Sequence, residues 1–227
     1  MKKILIAALI GLFLSSASAQ KISKITLARD GAIESIYFLL EDGVTASISE
    51  TGDLTGWGEE MYSDRLPNMS RLEKYMGRVE YYSNYDNESF RGKVKYIGKT
   101  QITYYGSYDK EELRGKVRSI GAAIFDYYSK FENDAMKGKI KKAGSVDFNW
   151  YSSFDNESFK GKIKSIGSTN ITYYASYDDK AIRGRLKSID RSAFTYYLST
   201  ERQEYQGALK SGSQMQTING IRYYVKF

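Results

Sequence analysis

The sequence predicts an all-β protein: an antiparallel meander of tandem 23-residue β-hairpin repeats in an elongated or curled sheet. Gly92, Gly115, Gly138, Gly161, Gly184 and Gly207 recur every 23 residues without slippage, and a Tyr-Tyr or Trp-Tyr pair moves with them. Such a period means that one supersecondary unit is copied in tandem, each copy burying its apolar side against its neighbours. The chain also holds 21 Tyr and a single Pro, a composition that favours strands.

Residues 1–19 read as a secretory leader: Lys2 and Lys3 are followed by an apolar run from Ile4 to Leu14 and the small-residue site Ala17-Ser18-Ala19. The run is too short to span a bilayer, so the chain is expected to be exported to the periplasm, the cell surface or the medium, with no transmembrane segment. Residues 20–76 form an N-terminal β-hairpin cap, because Asp30-Gly31, Asp42-Gly43 and Thr51-Gly52 separate alternating apolar runs. Within it, Ser70, Leu72, Tyr75 and Met76 fit one short helix or a loop. Residues 77–211 carry the repeats, and residues 212–227 a C-terminal capping strand in which Tyr223-Tyr224 lies 27 residues after Tyr196-Tyr197.

One copy reads as a strand from Ile102 to Tyr108, a turn at Asp109-Lys110-Glu111-Glu112, and a strand from Leu113 to Ile120. That turn sets Tyr108 opposite Leu113, Gly106 opposite Gly115 and Tyr104 opposite Val117 on an apolar face, where a neighbouring ring could cover the glycine pair. Thr103 opposite Arg118, Tyr105 opposite Lys116 and Ser107 opposite Arg114 make the polar face. Ile120 falls on the wrong side of this register, which indicates a bulge or a strand end near Ser119. Gly98, Gly121, Gly144 and Gly167 mark the second connection of each copy.

Two families share features with the repeat. GRLKSI followed by Phe194-Thr195-Tyr196-Tyr197, with Tyr-Asp pairs at 85–86, 108–109 and 177–178, resembles the YD repeats of Rhs-type shell proteins. The 23-residue length, with Tyr104, Gly106, Tyr108 and Gly115 in order, resembles a MORN-type hairpin repeat. Either resemblance implies stacked β-hairpins and brings no catalytic residues with it.

Composition narrows the functional classes. The formal net charge is +7, a mild basic excess compatible with anionic partners or with ordinary solubility. There is no Cys for a disulfide and no His for general-base chemistry or metal ligation, and no catalytic dyad, metal motif or cofactor fingerprint stands out.

The candidate binding residues are a Tyr column, Tyr105, Tyr128, Tyr151 and Tyr174, beside the cations Lys116, Lys139 and Lys162, all expected on the polar face. Rings beside cations can stack sugars while meeting anionic groups, or form a cross-strand ladder on a solvated face. The neighbouring column, Tyr81, Tyr104, Tyr127, Trp150, Tyr173 and Tyr196, reads as core. Lys95, Arg118, Lys141, Lys164, Lys187 and Lys210 make a second basic row, and Asp109, Glu111, Asp155 and Glu157 read as turn chemistry.

The function expected is a non-catalytic binding or scaffold module at the cell envelope, meeting an anionic glycan or another envelope component and no specific nucleic acid. A structural spacer or self-assembling protein and an outer-membrane β-barrel are the alternatives.

Overall fold

The computed structural model describes residues 21–62 and 70–227; the leader read at residues 1–19 lies outside them. Five strands come first: β1 (Lys21–Leu27), β2 (Ile33–Leu39), β3 (Val44–Ile48), β4 (Leu54–Tyr62) and β5 (Ser70–Lys74). The repeats supply β6 (Val79–Tyr81), β7 (Val94–Ile97), β8 (Thr100–Tyr104), β9 (Val117–Ile120), β10 (Ala123–Tyr127), β11 (Ile140–Ala143) and β12 (Val146–Trp150). They continue with β13 (Ile163–Ile166), β14 (Thr169–Tyr173), β15 (Leu186–Ile189), β16 (Ser192–Ala193), β17 (Thr195–Tyr196) and β18 (Leu209–Ser211). The chain closes with the hairpin β19 (Met215–Ile218) and β20 (Ile221–Val225).

The repeats form a long, curled antiparallel meander of eleven strands in the order β16 to β6, followed by the β17–β18 pair. The N-terminal strands and the terminal hairpin make a second sheet, ordered β19-β20-β1-β2-β3-β4-β5, in which β20 runs parallel to β1. The C-terminal segment expected as a single capping strand is therefore a hairpin, and it joins the N-terminal sheet. Ser70 to Lys74, expected as helix or loop, is a strand paired with β4. The meander's apolar face must be covered, and the N-terminal sheet covers it: both contribute to one core, with Phe38 edge-on to Phe125 at 5.1 Å between ring centres.

The hairpins differ from the expected register in two ways. Strand β8 stops at Tyr104 and β9 begins at Val117, so a twelve-residue loop replaces the four-residue turn. The pair Tyr105–Lys116 still closes, through Tyr105 N–H to Lys116 O at 3.0 Å and Gly115 N–H to Tyr105 O at 2.9 Å. Beyond it the Asp109 carboxylate takes the Gly106 N–H at 2.7 Å and pulls the backbone out of the ladder. Tyr108 consequently faces solvent instead of Leu113, and the atoms nearest Gly106 belong to the Asn87 side chain rather than to a covering ring. Gly115 instead has φ +74° with the Ser89 carbonyl close by, a site that a side chain would strain.

The second difference accounts for Ile120. Thr103 pairs with Ser119 and Tyr104 with Val117, so Arg118 is an extra, bulged residue and Ile120 returns to the core opposite Ile102. The same bulge recurs where Tyr81 meets Val94, Tyr127 meets Ile140, Trp150 meets Ile163, Tyr173 meets Leu186 and Tyr196 meets Leu209. The extra residue is always from the second basic row: Lys95, Arg118, Lys141, Lys164, Lys187 or Lys210. A bulge re-aims one side chain. Here it turns each cation over a ring of the Tyr82 to Tyr197 column, at 5.2 to 5.6 Å from the ring centre.

Candidate functional site

The side chains singled out from sequence are built into the fold. Tyr105, Tyr128, Tyr151 and Tyr174 are half-buried, and each hydroxyl donates to a main-chain oxygen 20 residues on: Phe125, Phe148, Ile171 and Phe194, at 2.9 to 3.2 Å. Burial raises the pKa of each phenol above its ordinary value, so they stay neutral donors. The ring column thus stitches each copy to the next.

Lys116, Lys139 and Lys162 do not sit over that column; each ammonium lies over the next ring of the core column, Tyr127, Trp150 or Tyr173. Lys116 donates to the carbonyls of Thr51 and Gly138 at 2.8 and 2.7 Å, and Lys162 to those of Asp30 and Gly184 at 2.9 and 2.6 Å. Burial lowers the pKa of both, against the pull of Asp53 and Asp30 respectively. Lys139 pairs with Glu50 at 2.7 Å. These lysines fasten the N-terminal sheet to the repeats, a role no local spacing announces. Trp150 behaves like its column mates, donating its indole N–H to Ile140 O at 2.8 Å as Tyr173 donates to Ile163 O at 2.9 Å.

A different row stands free. Tyr85, Tyr108, Phe131, Phe154 and Tyr177, spaced by 23 residues, are 83% to 100% exposed at the tips of the long loops. The row ends where Thr200 takes the ring's place. With two strands per copy, successive tips step by about 10 Å along the sheet.

The tips are braced. The acidic residue after each ring accepts the N–H three positions before it: Asp86 from Ser83, Asp109 from Gly106, Glu132 from Ser129, Asp155 from Ser152 and Asp178 from Ala175, at 2.5 to 2.8 Å. The hydrogen bonds from Ser83 and Ser152 hold the Asp86 and Asp155 carboxyls below their ordinary range. Asn87, Asn133 and Asn156 then bridge to the next loop, each accepting from a Ser main-chain N–H at 3.0 to 3.1 Å and donating to that serine's Oγ at 2.8 to 3.0 Å. Lys110 stands at the matching position of the second copy and cannot accept. Asp109 and Asp155 therefore act as turn residues. The 23-residue recurrence of an aromatic before an acid marks this row in sequence, but the assumed register hid Tyr108 in the sheet.

Among the described residues, no three His, Cys, Asp or Glu side chains gather as metal ligands, and no helix is long and apolar enough to cross a membrane. Compared with known proteins, the chain matches no family model, no curated protein and no solved structure.

Proposed function

We propose that the protein is an exported, non-catalytic binding module of the cell envelope, and that its loop-tip rings hold an extended glycan chain. The observation that carries this reading is the solvent-facing row Tyr85, Tyr108, Phe131, Phe154 and Tyr177 on braced loops. Soluble proteins rarely display large apolar side chains in contiguous order without a partner. Sugar rings present C–H faces that stack on aromatic faces, and a step of about 10 Å is close to the length of a disaccharide in an extended β-linked chain. The internal hydrogen bonds of Tyr105, Tyr128, Tyr151 and Tyr174 favour the tip row over that column as the contact surface. Strands of two to five residues in the meander are about half or less of the length a membrane barrel strand requires, which favours a water-facing module.

Affinity electrophoresis against neutral and anionic β-linked polysaccharides tests the reading. Replacing Tyr108, Phe131 and Phe154 together by Ala is expected to weaken binding by at least about tenfold, with each lost ring stack worth roughly 1 kcal/mol. Tyr128→Phe is expected to leave affinity unchanged. Binding to none of the glycans, with light scattering that rises with protein concentration and falls in the triple variant, would favour self-assembly through the same row.

A further inference from the structure

The two connections of the N-terminal sheet dock on the meander in the same way, two copies apart. Gly31 lies under the Tyr173 ring as Gly52 lies under Tyr127. Lys162 donates to Asp30 O at 2.9 Å as Lys116 donates to Thr51 O at 2.8 Å. The bulge N–H of Leu186 points to Arg29 O at 3.4 Å as that of Ile140 points to Glu50 O at 2.9 Å.

One matched pair differs in kind. Glu50 forms an ion pair with Lys139 at 2.7 Å in one dock, whereas the corresponding positions in the other are Arg29 and Arg185. Arg29, Lys162, Lys180, Arg183 and Arg185 line an open cleft of about 510 Å³ whose one acidic lining residue is Asp30. None of the five cations has a carboxylate within 4.0 Å among the described residues.

The Arg185 guanidinium is oriented by its Nε–H to Ala181 O at 2.8 Å, while its Nη1 is buried with no hydrogen-bond partner among the described residues. A buried donor in that state carries a desolvation cost that an acceptor would relieve. Burial and the nearby Arg29 charge both weaken the hold of Arg185 on its proton, as expected for a cation lacking a counter-ion.

We propose that this cleft binds a tetrahedral oxyanion, a phosphate or sulfate group, between Arg29 and Arg185, in the place the Glu50 carboxylate takes in the other dock. Guanidinium groups match such oxygens in geometry and charge. The group arrives as a free ion or as a substituent on a glycan. The cleft lies where Arg29 of the β1–β2 connection meets Lys162 and the loop cations Lys180, Arg183 and Arg185, and although that loop also carries Tyr177, no tip ring lines the cleft.

Calorimetric titration of the full chain at low salt with inorganic phosphate, inorganic sulfate and a sulfated oligosaccharide tests it. Saturable one-to-one binding and a higher melting midpoint are expected with at least one of the three. Tighter binding of the oligosaccharide than of either ion would identify a glycan-borne group, and the reverse a free ion. Arg29→Glu copies the Glu50–Lys139 arrangement; it is expected to lower affinity at least about tenfold and to raise the midpoint without anion. Lys180→Gln, at an exposed position, is expected to weaken binding several-fold in a folded chain, and Lys110→Gln on a distant loop to leave it unchanged. Absence of saturable binding for all three probes, or unaltered affinity in both Arg29→Glu and Lys180→Gln, would overturn the proposal.

Discussion

Tyr127 donates its hydroxyl to the main-chain oxygen of Val117 at 2.6 Å, ten residues earlier in the chain. Trp150, Tyr173 and Tyr196 make the matching bond, but the Tyr104 hydroxyl, one copy earlier, is buried with no partner among the described residues. The β3–β4 connection docks beside the Tyr127 bond: its Gly52 lies against the Tyr127 ring, and its carbonyl takes the Val117 N–H at 2.8 Å. Tyr127→Phe leaves a buried carbonyl short of a donor and is expected to cost about 2 kcal/mol, while Tyr104→Phe removes an unmatched hydroxyl and is expected to be neutral or stabilising. Urea unfolding of the two variants checks this, and equal losses would contradict the assigned bonding.

Gly52 fails to tolerate a side chain for two separable reasons. Its φ of +87° is in the left-handed region, and a Cβ there would run into the Tyr127 ring. Gly92, with φ +75°, has open space around it. Gly92→Ala is expected to cost about 1 kcal/mol from backbone strain alone. Gly52→Ala adds a displaced ring and is expected to cost about 3 kcal/mol. Thermal melts of the two proteins measure the difference, which is the worth of the ring contact.

Much of the fold was legible because the repeat imposes a period on residues that alternate across a sheet. The apolar ring column at Tyr104, Tyr127 and Trp150 and the misfit of Ile120 both follow from that alternation. The misfit pointed to a bulge, and the extra residue proved to be Arg118, adjacent to the expected place. The loop tips were not legible, because a single side-chain bond from Asp109 to the Gly106 N–H ends the ladder, whereas period-2 reasoning carries the strand on to Tyr108. Nor was the docking of the two sheets. Lys139 and Glu50 are 89 residues apart, and one of them belongs to no repeat, so no recurrence ties them.

Glu60 joins four strands at the outer side of the N-terminal sheet. It accepts from Lys24 at 2.6 Å, Ser70 at 2.5 Å and Arg222 at 2.6 Å, and so links β4 to β1, β5 and β20. Burial pushes its pKa up, but the hydrogen bonds from Lys24, Ser70 and Arg222 and the Lys24 charge outweigh it and hold the carboxyl below its ordinary value. A group depressed in the folded state contributes stability above its unfolded value, about pH 4, and loses it as the pH falls through the folded value. Glu60→Gln, which leaves two cations without a counter-charge, is expected to cost about 3 kcal/mol at neutral pH. The gap between parent and variant is expected to close on acidification below about pH 4, read from urea midpoints across a pH series. A gap independent of pH would assign the loss to packing.

Asp190 occupies the turn position that Gly98, Gly121, Gly144 and Gly167 fill in the other copies, and it is held at φ +50° where those glycines have φ between +54° and +61°. Each of these residues opens a two-residue connection, and a positive φ at the first place is what a II′ hairpin turn requires, a demand glycine meets without strain. The Asp190 N–H still donates to Asn170 O at 2.7 Å, the bond that Gly167 makes to Asp147 O at 2.8 Å, so the turn has kept its geometry against the preference of its residue. Asp190→Gly is therefore expected to stabilise the protein by roughly 1 kcal/mol, the usual cost of a left-handed residue bearing a Cβ less the greater freedom of glycine in the unfolded chain. A higher urea midpoint with unchanged slope checks it. A loss of stability would mean that the Asp190 carboxylate makes a contribution larger than the strain its backbone carries.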